Sequence, residues 1–150
     1  MQEKLTFEDG SVYEGETLNC KPHGKGKLTL YGIDNAGVYE GDFVDGKRHG
    51  KGKMIYTNGT VYEGDFAKGK FRGKGKYLWA NGNVYEGDFS NGRFHGKGKM
   101  TFTDGRLYEG DFKKGFFCGT GKMIYADGSI YEGNFVNGKP CWEGTGNNEQ

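Results

Sequence analysis

Proline is nearly absent from this chain, with 2 in 150 residues, and cysteine is scarce at 3. An odd cysteine count does not suggest a disulfide framework. No apolar run approaches the roughly 20 residues that a membrane-crossing helix needs. No charged-then-apolar stretch opens the chain as a secretory signal would, so the cytoplasm is the expected location, with peripheral attachment to a membrane or the cytoskeleton as its variant. Charge of one sign is missing too. The 21 basic and 20 acidic residues leave +1, which gives no global electrostatic grip on nucleic acid. Aliphatic residues are too sparse for a thick core, and no stretch has helical periodicity.

What the chain does have is glycine, 30 residues, together with 11 Phe and 10 Tyr. Glycine alone would suggest low complexity. Aromatics in this number point instead to an ordered, thin structure held by ring stacking. The glycines and rings recur in register. Tyr-Glu-Gly stands at Tyr13, Tyr39, Tyr62, Tyr85, Tyr108 and Tyr131, the last five spaced by 23 residues and the first gap being 26. The three extra residues fall in Tyr31–Gly37, where a lengthened loop is expected.

Within a unit, Tyr39, Gly41 and Phe43 alternate with Glu40 and Asp42, and Gly52, Met54 and Tyr56 alternate with Lys53 and Ile55. Period-two alternation predicts two strands. Val44–Gly50 reads as a longer connection between them, and Asn58-Gly59 as the tight two-residue turn that closes the unit. A lone hairpin is marginal in water, whereas stacked hairpins support one another. The expected fold is all-β: an elongated, single-layer antiparallel sheet of stacked 23-residue hairpins, solenoid-like. One array is expected over 1–150, with a partial unit at 5–12, units starting at 13, 39, 62, 85, 108 and 131, and the last unit incomplete. Tyr39, Phe43, Tyr62, Phe66, Tyr85, Phe89, Tyr108, Phe112, Tyr131 and Phe135 are the predicted core columns, continued by Trp79, Phe102 and Tyr125.

The unit Tyr39–Phe43, Gly46-Lys47, His49-Gly50, Gly52, and again Tyr85–Phe89, Gly92, His95-Gly96, Gly98, resembles the MORN repeat (membrane occupation and recognition nexus). The likeness runs from about Leu5 to Gly144; Thr17, Cys20, Arg72, Cys118, Cys141 and Trp142 depart from it. It implies a curved, trough-shaped sheet that serves as a non-catalytic scaffold for protein–protein interaction, with self-association as a homodimer through the end strands. It also leaves open a module that binds anionic phospholipid, or a targeting region of a larger enzyme such as a lipid kinase or methyltransferase.

On the face opposite the rings, Glu40, Asp42, Glu63, Asp65, Glu86, Asp88, Glu109 and Asp111 neighbour Lys51, Lys53, Lys74, Lys76, Lys97 and Lys99, which predicts a cross-strand ion-pair ladder. The longer connections carry Lys47, Arg48, Lys70, Arg72, Arg93, Lys113 and Lys114 with Phe71, Phe94, Phe116 and Phe117 among them. These residues are the candidate partner- or lipid-binding edge; the alternative has the cations solvated and the phenylalanines folded back onto the sheet. No catalytic constellation emerges, and no metal or cofactor is expected. Gly41–Lys47, Gly64–Lys70 and Gly133–Lys139 read G-x-x-x-x-G-K, but no Ser or Thr follows and no helix begins there. His23, His49 and His95 share one repeat column with Arg72, Cys118 and Cys141, at unit spacings of about 9–10 Å, too far apart to converge on one zinc.

Overall fold

The computed structural model describes residues 2–32 and 36–140. They form thirteen strands: β1 (Gln2–Thr6), β2 (Val12–Leu18), β3 (Lys21–Leu30), β4 (Gly37–Val44), β5 (Lys47–Tyr56), β6 (Val61–Ala67), β7 (Lys70–Leu78), β8 (Val84–Ser90), β9 (Arg93–Thr101), β10 (Leu107–Lys113), β11 (Phe116–Ile124), β12 (Ile130–Val136) and β13 (Lys139–Pro140). Each pairs antiparallel with the next, so the spatial order is the sequence order and the sheet stays open. This is the all-β, single-layer stack of 23-residue hairpins that the repeat predicts. Cys141, Trp142 and the polar tail 144–150 lie outside the described residues, as does 33–35 within the lengthened loop.

The two kinds of connection are exchanged relative to the expectation. Val44 pairs with Lys47, so only Asp45 and Gly46 turn the chain, and Lys47–Gly50 already belongs to β5. Asp45 (φ 50°) and Gly46 (φ 83°) both take positive φ, the backbone of the hairpin turn whose twist matches that of its strands. Asn58-Gly59, in contrast, sits in a four-residue connection. The Gly59 N–H donates to the Tyr56 carbonyl (3.0 Å), the Tyr56 N–H to the Thr60 carbonyl (2.8 Å), and the Thr60 N–H to Asn58 Oδ1 (2.9 Å). An Asx side chain that takes up its own backbone favours this wider turn.

A β-bulge hides the beginning of β5 from period-two counting. Phe43 pairs with Arg48 and Gly41 with Gly52, so Asp42 alone stands opposite His49, Gly50 and Lys51. Such a bulge leaves backbone groups unpaired, and two residues of the repeat signature satisfy them. The Tyr39 hydroxyl donates to the Asp42 carbonyl (2.8 Å), and the Lys51 N–H donates to Asp42 Oδ2 (3.2 Å). The same pair of bonds recurs at Tyr62/Asp65, Tyr85/Asp88 and Tyr108/Asp111. Tyr and Asp are thus the two stoppers of one bulge, and the tyrosine ring reaches it by lying across Gly52, which offers no side chain in its path.

The core is one layer of rings. Tyr13, Tyr39, Tyr62, Tyr85 and Tyr108 are fully buried, and Phe43, Phe66, Phe89, Phe112 and Phe135 nearly so, with Met54, Met100 and Met123 between them. Tyr39, Tyr62, Tyr85 and Tyr108 each meet a Phe of their own unit and a Phe of the next edge-on, as Tyr39 does with Phe43 (5.1 Å between centroids) and Phe66 (4.9 Å), while Tyr13, with Thr17 in its own unit, meets only Phe43 of the next. Each such pair adds about 0.5–1.5 kcal/mol to the burial of its rings. Every unit is therefore welded to its neighbour as well as closed on itself. Tyr131, the last of the column, is only half-buried.

The first tight turn carries a cost. Cys20 occupies the position that Gly46 fills later and takes φ 65°. A side chain there costs about 1–2 kcal/mol, of which the extra unfolded-state freedom of glycine cancels part. Cys20→Gly is expected to stabilise the protein by about 1 kcal/mol, read as a higher midpoint in urea unfolding with an unchanged slope. An unchanged midpoint would remove the strain argument.

Candidate interaction surface

The tight-turn edge is fastened from unit to unit. The Gly69 N–H donates to the Arg48 carbonyl (2.9 Å), Gly92 to Phe71 (3.0 Å), Gly115 to Phe94 (3.0 Å) and Gly138 to Phe117 (2.9 Å). Histidines add to this: His23 Nδ1 accepts the Asp45 N–H (3.4 Å), and His49 Nδ1 the Lys68 N–H (3.3 Å). The edge is a rigid display, with each turn held at a fixed offset from the last.

Because Lys47–Gly50 and its equivalents are strand, their side chains alternate between faces. The proposed edge residues therefore separate. Phe71, Phe94 and Phe117 lie on the ring face, stacked on Tyr62, Tyr85 and Tyr108 with centroids 3.9, 4.0 and 4.1 Å apart. Arg48 holds the same place one unit earlier, its guanidinium 5.9 Å from the Tyr39 ring centre and 5.5 Å from that of Phe66, with Nη2 donating to the Gly69 carbonyl (2.8 Å). These four residues are the lid of the core. Lys47, Lys70, Arg72, Arg93, Lys113 and Lys114 are exposed, as is Phe116 at 56%. Asp45 is the acid among them, and none of the six cations forms an ion pair.

At the middle of this band Lys70, Arg93 and Lys114 converge with Ser90, Asn91 and His95 around a recess of about 450 Å³. All six can donate hydrogen bonds and no carboxylate lines the recess, so it suits an anionic group. The sequence reading leaves Ser90 and Asn91 off this edge and has His95 only in the repeat's histidine column, because the bulge shifts the pattern. A two-residue turn placed at Asn91-Gly92 would have set Ser90 opposite Arg93, as it is here.

Next inward lies the ion-pair ladder, which forms in one row of the two expected. Lys25 pairs with Asp42, Lys51 with Asp65, Lys74 with Asp88 and Lys97 with Asp111. The lysine beside each of Asp42, Asp88 and Asp111, and secondarily the bulge N–H, holds the carboxyl below its ordinary range. The glutamates of the other row stand opposite lysines by register yet form no ion pair. Among the described residues no group of three or more His, Cys, Asp or Glu side chains is placed to hold a metal.

The model of the MORN repeat matches residues 13–31, 39–61, 62–84, 85–105, 108–130 and 131–141. The chain belongs to the MORN repeat family. The family matches begin at Tyr13, Tyr39, Tyr62, Tyr85, Tyr108 and Tyr131; the first five stopper the bulges and Tyr131 makes the same hydroxyl bond to the Asn134 carbonyl, so the family signature coincides with the hydrogen-bonded unit seen here. No curated protein sequence matches the chain. Among solved structures it is similar to the TCP domain of SAS-4 (dCPAP) of Drosophila melanogaster, solved in complex with a proline-rich motif of Ana2 (dSTIL), with 15% identity and a TM-score of 0.45. That match covers 86% of this chain and 62% of the other.

Proposed function

We propose that this MORN array is a non-catalytic scaffold that binds an acidic segment of a partner protein along its basic band, in the cytoplasm or at a membrane or cytoskeletal periphery. The observation that carries this reading is the row of exposed, unpaired cations on a rigid edge, gathered at Lys70, Arg93 and Lys114 around one recess. Affinity would sit in the arginine and the lysines that converge there. The same cations, with exposed Phe116 beside them, support a second reading in which the partner is an anionic phospholipid surface.

One experiment separates the two. The full chain and the triple variant Lys70→Glu, Arg93→Glu, Lys114→Glu are titrated with a Glu-rich peptide and with vesicles containing phosphoinositide. The scaffold reading expects saturable peptide binding that weakens with salt and falls at least tenfold in the variant. Vesicle binding without peptide binding would replace it with the lipid reading. No binding to either probe at low salt would remove the band as a site.

A further inference from the structure

A second surface runs along the charged face, at the side far from the basic band. The residue before each signature Tyr, and the residue after Met54, Tyr77, Met100 and Met123 on the paired strand, point away from the rings. Register sets them side by side: Val38 faces Ile55, Ile55 faces Val61, Val61 faces Leu78, and Leu78 faces Val84. Beyond Thr101, Leu107 faces Ile124 and Ile124 faces Ile130. With strands about 4.8 Å apart, these residues make an aliphatic stripe one side chain wide and about 40 Å long. It lies on the open side of a single layer, where Ile55 is 45% and Ile130 57% exposed. Beside it runs the unpaired row Lys53, Glu63, Lys76, Glu86, Lys99, Glu109, whose sign alternates at every strand.

We propose that this stripe is a docking track for an amphipathic α-helix of a partner protein, laid along the long axis of the array. A helix is about 10–12 Å across with its side chains, so it covers a stripe one residue wide and reaches the charged row on one flank. Its pitch of about 5.4 Å is close to the strand spacing of about 4.8 Å. Each helical turn thus meets about one strand, and an i, i+3/i+4, i+7 apolar seam finds an aliphatic side chain at each turn except over β9, where Thr101 holds the place. The charged row then sets the register. The flank of the helix must alternate acid and base turn by turn, opposite in sign to the lysines and glutamates it passes, so a helix with a flank of one sign is rejected at every second strand. A second copy of this chain fits less well, because stacking two charged faces with their rows aligned sets one basic band on the other. The track stands apart from the basic band and needs no cation of that band.

The probe is a labelled 25-residue helical peptide with a leucine seam and one flank of alternating Glu and Lys, titrated into the full chain. Saturable binding is expected, with amide shifts at Ile55, Leu78 and Leu107 and none at Phe71 or Phe94. Ile55→Lys should weaken it at least tenfold. Lys76→Glu with Lys99→Glu, both exposed and unpaired, should weaken it equally, and a peptide whose flank carries Lys at every turn should recover the loss. Three results would overturn the proposal: no binding at 1 mM peptide, shifts confined to the ring face and insensitive to these variants, or a doubled mass in light scattering that Ile55→Lys abolishes. The last would assign the stripe to self-association.

Discussion

Replacing Gly52 with alanine is expected to cost at least about 3 kcal/mol, the upper range for forcing atoms into a packed core. A Cβ on Gly52 would fall on the hydroxyl and ring of Tyr39, far inside contact distance. That ring cannot retreat. It is fully buried, edge-on to Phe43 and Phe66, and its hydroxyl closes the bulge at the Asp42 carbonyl. The methyl therefore displaces the ring, and the displaced ring leaves the carbonyl without its donor and two phenylalanines without their partner. Gly10→Ala makes the contrast. Gly10 has φ 89° and nothing within 4 Å of an added Cβ, so only backbone strain opposes the side chain, about 1 kcal/mol. Urea unfolding of both variants tests the argument, and equal costs would refute it.

Much of this architecture is legible because the repeat is physical as well as textual. The alternation at Tyr39, Gly41 and Phe43 gives the ring face, and the glycines opposite the tyrosines are recognisable as room for rings. The bulge is what hides the rest. Asp42 stands against three residues at once, so the period-two count breaks at Gly50 and the first four residues of β5 read as loop. With the bulge in place Arg48, Phe71, Phe94 and Phe117 lie over the core rings, the three phenylalanines as in the folded-back alternative, while Lys70, Arg93 and Lys114 remain outside. The tight turn is ambiguous for a related reason: Asp45-Gly46 and Asn58-Gly59 carry the same signal at opposite ends of one strand, and only the Asx bond of Asn58 distinguishes them. The aliphatic stripe was in view throughout as the residues flanking each tyrosine and methionine. One Val, Ile or Leu on nearly every strand looks like propensity until register joins eight of them into a line that Thr101 alone interrupts.

The ladder contributes less to stability than its regularity suggests. Its lysine side chains are about three-quarters exposed, and exposed pairs contribute about 0–1 kcal/mol each. The folded pKa of Asp42, Asp88 and Asp111 is depressed, so whatever they add is present above the ordinary carboxyl value of 3.8 and fades as pH falls through the lowered one. Acid should therefore soften this protein only slightly.

Alkali should unfold it abruptly. Burial, and after it the neighbouring aspartate charge, raises Tyr39, Tyr62 and Tyr85 well above the ordinary phenol value of 10.0 and pushes Tyr108 up to about 12. Between pH 10 and those raised values the folded chain keeps protons that the unfolded chain has released. Stability from these four groups is complete below pH 10 and is lost as pH rises from there, at about 1.4 kcal/mol per tyrosine per pH unit. Acting together they remove roughly 5–6 kcal/mol per unit, against a total of about 5–15 kcal/mol for a typical domain. The array should collapse within about one to three units above pH 10. Each hydroxyl is also the stopper of a bulge, so ionising one converts a donor into a charge facing a carbonyl, and no tyrosine can titrate while its unit stays closed. Phenolate at these four tyrosines, read from their assigned ring NMR shifts because exposed phenols such as Tyr31 also absorb at 295 nm, and loss of the far-ultraviolet β signal are therefore expected to rise together as one steep transition. Phenolate that accumulates gradually while the β signal persists would show that the tyrosines do not hold the units shut.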